Sequence, residues 1–362
     1  MRRTDILLRP TRCIREGLNA VILAAGEGRR LDPLTRNRPK PLLPVAGEPL
    51  IHRIVRVLSG VGVDEACVVT SPSGDRIMDA LRGVETPRLR RAVQDRPLGT
   101  AHALLAAGDF VRDEEKFILV YGDLFFEAEA LQGLVAHVAK GFDGGVLAIR
   151  HEEARRFGVL LEEDGVLKGI VEKPEHLSAP ALINSGVYVL PGEIVEAAEK
   201  IEPSIRREYE LTDAITLLVK SGRRIAVYKH PHGYWLDVGT PASYLEANLL
   251  ALREYQPPGL PQAPALQHSY IGGEVRLGRH SQVRSSVLME DVEVGEDVTL
   301  DSVVLLEKAV VERGAQLAYA IVGENGRAGR GCILRGLRER PVVIGPGSAV
   351  PPYFTAGPGD VF

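Results

Sequence analysis

Short apolar runs alternate with longer amphipathic stretches over residues 19–255 of the chain. Three of the runs, at residues 20–23, 66–69 and 117–120, are apolar throughout. Strands that are buried on both faces have this continuous pattern, because helices cover both sides of their sheet. The alternation predicts βαβ units around a mainly parallel sheet, and therefore an α/β domain.

The pattern changes between residues 158 and 173, where two short runs flank Asp164 and Gly165. Both residues tolerate positive φ, so the pair predicts a tight β-hairpin. Further along, the sequence QPPGLPQAP interrupts every period, and its prolines favour an extended linker. We therefore divide the chain into an N-terminal extension (1–18), an α/β domain (19–255), a linker (256–266) and a second domain (267–362).

Aliphatic residues recur about every six positions in the second domain, and glycine follows several of them. The aliphatic positions are Ile271, Leu277, Val283, Met289, Val294, Leu300, Leu306, Val311, Leu317, Ile344 and Val350. This hexapeptide period is typical of a parallel β-helix, in which triangular coils stack on one another. The alternative is a β-sandwich with chance spacing. We favour the β-helix because the period survives two shifts of phase.

Composition and charge narrow the function classes. The 362 residues are 45% hydrophobic and 25% charged, as in ordinary globular proteins, and the net charge of −4 gives no reason to expect a nucleic-acid partner. The cysteines Cys13, Cys67 and Cys332 form no CxxC pair, so we expect reduced thiols, no structural zinc and a cytoplasmic protein. No apolar run reaches the roughly 18 residues of a membrane span, so we expect no membrane association.

A glycine-bearing turn with the sequence LAAGEGRRL follows the first apolar run, at residues 23–31. Its glycines let the backbone approach a phosphate and donate N–H groups to it, but the spacing fits neither GxGxxG nor GxxxxGK[ST]. The glycines alone favour an ordinary strand–turn connection. Pro39 and Pro41 change this interpretation, because they stiffen the backbone around Lys40 and present its ammonium from a loop that suits a polyphosphate.

The residues around this loop form one longer string: Gly26-x-Gly28-x-Arg30-Leu31-x-Pro33-Leu34-Thr35, then Pro39-Lys40-Pro41-Leu42. The string resembles the signature of the sugar-1-phosphate nucleotidylyltransferases, which include glucose-1-phosphate thymidylyltransferases and N-acetylglucosamine-1-phosphate uridylyltransferases. The resemblance continues in order over residues 19–248, and a hexapeptide tail is frequent in the family. It implies a Rossmann-like nucleotidyltransferase domain followed by a left-handed β-helix.

The resemblance also implies a nucleotide site. Its contacts would be Leu23, Ala25, Gly26, Gly28, Gln94, Gly99, Thr100 and Gly122. The carboxamide of Gln94 offers a donor and an acceptor, which match uracil or thymine and favour UTP or dTTP. The alternative for this segment is a helix start capped by Thr100, with His102 in the first turn. The order of the motifs favours base recognition.

Two aspartates resemble the family's paired Mg²⁺ ligands. Asp123 follows an apolar strand, and the carboxyl ends of sheet strands are where α/β proteins bind ligands. Asp237 lies in the later segment WLDVGTP. Magnesium prefers oxygen ligands, usually one or two carboxylates completed by phosphate and water. The alternative is that each aspartate caps a turn.

A sugar-phosphate site is implied by the segment GIVEKP at residues 169–174. Glu172 would accept hydrogen bonds from sugar hydroxyls and Lys173 would face the phosphate, with Gly158 and Asn184 as further contacts. The tripeptide EKP alone is more often a solvated strand end, and its place in the series favours the functional interpretation. The segment 208–213 is interpreted as a helix start without an assigned role. We expect the helical histidines His52, His102 and His137 to be structural.

The expected reaction joins a nucleoside triphosphate to a sugar 1-phosphate and releases pyrophosphate. The residues implied to carry it are Arg30, Lys40, Asp123, Lys173 and Asp237. One alternative is a non-catalytic regulatory or assembly subunit of the same fold. Another is a bifunctional enzyme with acetyltransferase activity in the β-helix, where His268 and His280 could act as bases. We favour a β-helix that assembles homo-oligomers, because stacked coils expose flat faces.

Overall fold

The computed structural model describes residues 17–177, 180–231, 233–254 and 266–362. It divides into two compact units, each built from two segments of chain. The first unit comprises the chain up to Gly26 and Ile51–Trp235, and the second comprises Glu27–Leu50 and Leu236–Phe362. The predicted extension as far as residue 16, with Cys13, and the predicted linker 256–266 as far as residue 265 lie outside the described residues.

Eight α-helices occur in the part of the chain that the structure describes. They are α1 Leu50–Gly60, α2 Asp75–Ala80, α3 Thr100–Ala106, α4 Gly108–Val111, α5 Ala128–Val138, α6 Ile194–Lys200, α7 Leu211–Lys220 and α8 Pro241–Glu254. Three short 3₁₀ turns lie at Arg29–Leu31, Lys40–Leu42 and Ala154–Arg156. The described helices include none that is long and apolar enough to cross a membrane.

The strands before residue 240 are β1 Leu18–Leu23, β2 Pro44–Val45, β3 Glu48–Pro49, β4 Val63–Thr70, β5 Arg88–Val93, β6 Phe117–Tyr121, β7 Leu124–Phe126, β8 Gly144–His151, β9 Gly158–Glu163, β10 Val166–Glu172, β11 Ala181–Leu190, β12 Ile225–Lys229 and β13 Trp235–Asp237. Nine of them form the sheet of the first unit, in the order β5-β4-β1-β6-β11-β8-β12-β10-β9.

The sheet of the first unit is mixed, which corrects the prediction of a mainly parallel sheet. Strands β5, β4, β1 and β6 are parallel neighbours, as the alternating pattern predicts. Strand β11 runs antiparallel to both β6 and β8, and β9 and β10 form an antiparallel hairpin. The hairpin turn is the predicted one, with φ of 51° at Asp164 and 76° at Gly165.

Helices cover both faces of this sheet, so the three apolar runs are buried as predicted, except for the partly buried Leu23. Val21 and Leu119 pack into a core with residues of α3, α6 and α7 on one face. Helix α5 lies on the other face, where a Cβ at Gly145 would contact the side chains of Val138 and Leu134. Loops follow β1, β4 and β6 at the sheet edge where the carboxyl ends of these strands lie. The predicted nucleotide contacts belong to this edge.

The strands after residue 265 are β14 Leu266–Gln267, β15 Tyr270–Ile271, β16 Arg276–Leu277, β17 Gln282–Arg284, β18 Val287–Leu288, β19 Glu293–Val294, β20 Thr299–Leu305, β21 Val310–Val311, β22 Gln316–Val322, β23 Arg327–Ala328, β24 Ile333–Arg335, β25 Val342–Ile344, β26 Ala349–Val350 and β27 Thr355–Ala356. Their named pairings are all parallel, as the hexapeptide period predicts.

Most successive coils of this β-helix stack with a 17-residue offset, as in the bond from the Val303 N–H to Ser286 Oγ. The offset increases to 22 residues where β22 pairs with β25, as between Ala320 and Val342. Val283, Leu300, Leu317 and Leu334 lie in register, one on each coil, and all are buried in a continuous core. Aliphatic side chains repeated at one position thus fill the interior of the stack.

Two of the cysteines lie in the cores of the units. Cys67 and Cys332 are buried free thiols, and burial raises the pKa of each to about 11. Both therefore stay protonated and act as small apolar side chains.

Candidate active site

At the open edge of the first unit's sheet, the chain leaving β1 crosses the chain leaving β6. The N–H of Gly122 donates to the Leu23 carbonyl at 2.8 Å. A Cβ at Gly122 would lie 3.0 Å from the Leu23 carbonyl oxygen and 3.0 Å from the Ala24 Cβ, so only glycine allows this approach. Asp123 follows directly and is partly buried. Ala25 is buried beside this crossing and Gly26 is exposed.

The predicted base reader, Gln94, follows β5 and is buried. Its Nε2 donates to the Gly99 carbonyl at 3.0 Å and lies 3.1 Å from His102 Nδ1. If Nδ1 accepts this bond, the His102 Nε2 carries the proton and faces Asp95 at 3.9 Å. These contacts fix the orientation of the Gln94 carboxamide. Among the described residues, Gln94 Oε1 has no hydrogen-bond partner, and it can accept from a base.

Gly99 connects this segment to residues 208–213, for which the sequence assigned no role. Its φ is 116°, a backbone conformation that favours glycine. The Tyr209 N–H donates to the Leu98 carbonyl at 2.8 Å, and the Tyr209 carbonyl accepts from the Ala101 N–H at 2.9 Å. The segment 208–213 therefore holds the loop around Gly99 in place.

Thr100 is the first residue of α3 and Gly99 holds the N-cap position, so Thr100 does not cap the helix as the alternative predicted. Thr100 Oγ1 accepts from the backbone N–H of Leu211 at 2.9 Å, at the start of α7. The side chain thus joins the two helix starts. His102, predicted to be structural, contacts Gln94 and is a site residue that the sequence reasoning missed.

The predicted sugar residues Gly158, Glu172 and Asn184 lie together in the first unit. A Cβ at Gly158 would lie 2.9 Å from Glu172 Oε2 and 3.5 Å from Asn184 Cβ. Thr212 Oγ1 donates to Glu172 Oε2 at 3.4 Å, and Arg206 Nη2 donates to Glu172 Oε1 at 3.4 Å. The start of β9, the end of β10 and the segment before α7 therefore meet at the Glu172 carboxylate.

Lys173 follows Glu172 with a φ of 44°, which turns the chain out of β10. Its backbone N–H donates to the Phe157 carbonyl at 3.1 Å. The ammonium lies 3.8 Å from Glu172 Oε1 and its side chain is 45% exposed. Lys173 therefore offers an accessible cation beside Glu172.

Arg206 is a second cation near Glu172 that the sequence analysis did not identify. It also pairs with Glu208 and Glu210. Burial lowers the pKa of Arg206, but the surrounding carboxylates, Glu210 first, outweigh it and raise the pKa. Burial raises the pKa of Glu210 above its ordinary value, although Arg206 opposes that shift.

The remaining predicted residues lie in the second unit, around Asp237. Lys40 is buried, and its Nζ lies 3.3 Å from Asp237 Oδ1. Arg30 Nη2 lies 3.3 Å from Asp237 Oδ2. Gly28 has a φ of 68°, and a Cβ there would lie 3.1 Å from the Lys40 Cβ. The glycine therefore lets the turn close over the lysine, while Thr35 Oγ1 donates to the Gly28 carbonyl at 3.1 Å.

The two predicted metal ligands offer only carboxylate oxygens. Asp123 is partly buried at the carboxyl end of β6, and both oxygens of Asp237 face cations. The described residues contain no group of three or more histidine, cysteine or acidic side chains that could hold a metal. One or two carboxylates completed by phosphate and water are the usual donors for magnesium, so each of these side chains has the donor chemistry that this ion prefers.

Comparison with known proteins gives two family matches. Residues 19–254 match the nucleotidyl transferase family, and residues 262–327 match the GlmU-like C-terminal hexapeptide family. A solved chain from Bacillus anthracis, crystallised with sucrose and assigned as a glucose-1-phosphate thymidylyltransferase, superposes with a TM-score of 0.59 at 28% identity. The match covers 67% of this chain and 98% of that one. The fold is thus the Rossmann-like one of nucleotidyltransferases.

Curated relatives carry related names. A bifunctional protein GlmU of Methanococcus maripaludis strain C7 is 34% identical over 64% of this chain and 54% of its own length. The GlmU of Methanococcus vannielii is 29% identical over 90% of this chain and 83% of its own. A glucose-1-phosphate thymidylyltransferase of Streptomyces griseus is 33% identical over 77% of this chain and 78% of its own. The chain thus spans about half the length of the first relative and most of the other two.

Proposed function

The chain belongs to the sugar-1-phosphate nucleotidylyltransferase family, and we propose that it converts a pyrimidine nucleoside triphosphate and a sugar 1-phosphate into a nucleotide sugar and pyrophosphate. The observation that carries this proposal is the convergence of Lys40 and Arg30 on Asp237. Two cations are held together before substrate binds, one of them buried, and such a pair suits a polyphosphate.

The reaction needs no general base in this proposal. A sugar 1-phosphate is ionised at neutral pH, so its oxygen can attack the α-phosphorus directly. A new P–O bond forms there while the bond from the α-phosphorus to the bridging oxygen breaks, and pyrophosphate departs with that oxygen. The protein must bring two polyanions together and stabilise the added charge.

The cations of the chain do this work. Lys40 and Arg30 donate to the triphosphate and then to the departing pyrophosphate, exchanging their bonds to Asp237 for bonds to phosphate oxygens. Lys173, exposed beside Glu172, holds the phosphate of the attacking sugar. Gly28 keeps the turn close over Lys40, so that backbone N–H groups of the loop add further donors.

Members of this family generally use a divalent metal ion, and we propose Mg²⁺. Asp123 and Asp237 would hold it, and the ion would neutralise charge on the phosphates as they react.

The base and the sugar are recognised by separate groups of residues. Gln94 Oε1 accepts from the N3–H of uracil or thymine, while its Nε2 stays bound to the Gly99 carbonyl. This arrangement favours UTP or dTTP. Glu172 and Asn184 bind the hydroxyls of a glucose or N-acetylglucosamine 1-phosphate, and Gly158 leaves room for the ring. Uracil and thymine differ by one methyl group, worth about 0.8 kcal/mol if buried.

The β-helix, proposed to be left-handed as in related proteins, is assigned a role in homo-oligomer assembly. His268 and His280 are the bases that acetyl transfer would need, but both are exposed at coil turns, with φ of 47° and 63°. Neither is placed by a hydrogen bond that could orient it as a base within the described residues. Assembly through stacked-coil faces therefore has the stronger support.

A substrate matrix tests the proposal. The full chain is incubated with Mg²⁺ and each of four nucleoside triphosphates against several sugar 1-phosphates, and pyrophosphate release is measured. We expect turnover with UTP or dTTP and with glucose or N-acetylglucosamine 1-phosphate. Absence of release in every combination would refute the proposal and support the non-catalytic alternative. Acetyl transfer to glucosamine 1-phosphate in the same preparation tests the second activity.

A further inference from the structure

The loop that carries Lys40 is anchored on the coils of the β-helix, within the second unit. Arg38, two residues before Lys40, points its guanidinium at two coil carboxylates. Arg38 Nη1 lies 2.9 Å from Glu307 Oε1, and Nη2 lies 3.5 Å from Glu324 Oε2. The Arg38 side chain is only 16% exposed. Burial lowers the pKa of Arg38, but its bond to Glu307 outweighs that effect and raises the pKa.

The two carboxylates occupy equivalent positions on successive coils. Leu305 is in register with Val322, and the Asn325 N–H donates to the Glu307 carbonyl at 3.0 Å. Neighbouring strands lie about 4.8 Å apart, so Glu307 and Glu324 form a like-charge pair that is destabilising alone. Glu307 Oε2 is buried and has no hydrogen-bond partner among the described residues. Arg38, which contacts both carboxylates, therefore offsets the repulsion between Glu307 and Glu324.

Other contacts join the same parts of the second unit. A Cβ at Gly345, on the last coil, would lie 3.0 Å from the ring of Pro33 in the loop. The Tyr244 hydroxyl, on α8, donates to the Pro44 carbonyl at 2.6 Å. Arg338, on the β-helix, donates to both carboxylate oxygens of Glu246 on α8. The loop before Lys40 and the helix after Asp237 are thus both docked on the coils.

We propose that Arg38 is a positioning residue, through which Glu307 and Glu324 set the geometry of Lys40 toward Asp237. Pro39 and Pro41 stiffen the short connection, so a displacement of Arg38 is passed to Lys40 rather than absorbed. The hexapeptide coils are then a working part of the nucleotidyl-transfer site, in addition to their proposed role in assembly. This inference rests on the proposed function, because it assumes that Lys40 acts on the triphosphate.

The test compares Glu307→Gln, Glu324→Gln and the double variant with wild type in the pyrophosphate-release assay, at saturating and limiting nucleoside triphosphate. Misplacing a catalytic group by about 1 Å can cost about a hundredfold in rate, so we expect the double variant to lose at least about tenfold in kcat. The KM for sugar 1-phosphate should stay within about twofold, because the sugar residues belong to the first unit.

Glu290 provides the matched control. It lies one coil before Glu307 in the same column, since the Lys308 N–H donates to its carbonyl as the Asn325 N–H does to that of Glu307. It is exposed, and no ion pair joins it to Arg38 in the described part of the chain. Glu290→Gln should therefore keep the wild-type kcat and KM.

Thermal unfolding and circular dichroism establish which variants are folded at the assay temperature. A folded double variant with wild-type kcat would overturn the inference. Should the double variant not fold, Arg38→Lys decides, because lysine keeps the charge but cannot bridge both carboxylates. We expect a kcat reduced severalfold in that variant, and a wild-type kcat would again overturn the inference. Inactive wild-type protein would instead refute the proposed function.

Discussion

The Lys40 Nζ lies 3.3 Å from Asp237 Oδ1, although 197 residues separate the two along the chain. Lys40 is 6% exposed, and a buried ammonium needs a counter-charge at this distance. The Asp237 carboxylate supplies that counter-charge and holds the ammonium in place. Arg30 approaches the other oxygen of the same carboxylate, so the arrangement holds two cations ready.

Removal of the Lys40 ammonium tests its role in catalysis. We expect Lys40→Ala to reduce kcat by about 10²–10³-fold, the cost of losing one preorganised donor to transition-state charge. Arg30 still pairs with Asp237 in this variant, so the fold should survive. Arg36→Ala is the control, because Arg36 lies on the same loop but is exposed and bound to Asp32. Pyrophosphate release at saturating substrates measures the kcat of both variants. A Lys40→Ala kcat equal to that of Arg36→Ala would argue against a catalytic Lys40.

Metal dependence tests Asp123. Treatment with EDTA should abolish pyrophosphate release, and added Mg²⁺ should restore it. Asp123→Asn should raise the Mg²⁺ concentration for half-maximal activity and lower the maximal rate by orders of magnitude, since an amide is a weaker ligand than a carboxylate. Asp109→Asn, an exposed change on α4, should leave the Mg²⁺ titration unchanged. Identical titrations for wild type and Asp123→Asn would exclude Asp123 as a ligand.

The contact between His102 and Gln94 allows a test of the proposed base recognition. We expect His102→Ala to raise the KM for the preferred nucleoside triphosphate by about fivefold to tenfold, because a hydrogen bond worth about 1 kcal/mol no longer orients the Gln94 carboxamide. The preference of the His102→Ala variant for UTP or dTTP over CTP should also weaken. His137→Ala is the matched control, since His137, in α5, stacks on Phe142. An unchanged nucleotide preference in His102→Ala would show that Gln94 needs no support.

The raised pKa of Glu210 predicts a pH dependence of stability. Its ordinary value is 4.5, and burial raises it in the folded state, so the folded protein holds this proton more tightly than the unfolded chain. The contribution of Glu210 to stability is thus fully present below about pH 4.5 and is lost as the pH rises through the raised value. The difference in melting temperature between wild type and Glu210→Gln should therefore fall as the pH rises above about 4.5.

A control of opposite sign is available for this measurement. The hydrogen bond from Arg156 lowers the pKa of Glu153, so its stabilisation is present above the unfolded value and is lost in acid. The difference between wild type and Glu153→Gln should therefore rise as the pH increases toward about 4.5, and stay level at higher pH. Parallel trends in the two series would contradict the origin assigned to the Glu210 shift.

Local patterns predicted much of the fold. The buried strands, the hairpin at Asp164 and Gly165, and the stacked parallel coils were all read from short segments, because burial, turn conformation and repeat length depend on neighbouring residues. The direction of β11 was not predictable in this way, since it depends on pairing with β6 and β8 far along the chain. The mixed sheet follows from that pairing.

The sequence by itself determined the family signature and the order of the motifs, because these are properties of residue type and spacing. Only the tertiary structure decided which side chains support them. His102 lies against Gln94, and Arg206 lies against Glu172. Arg38 lies against Glu307, which is 269 positions further along the chain. An arginine, a histidine or a glutamate has no distinctive pattern of its own, and its role depends on the charges that folding brings within reach.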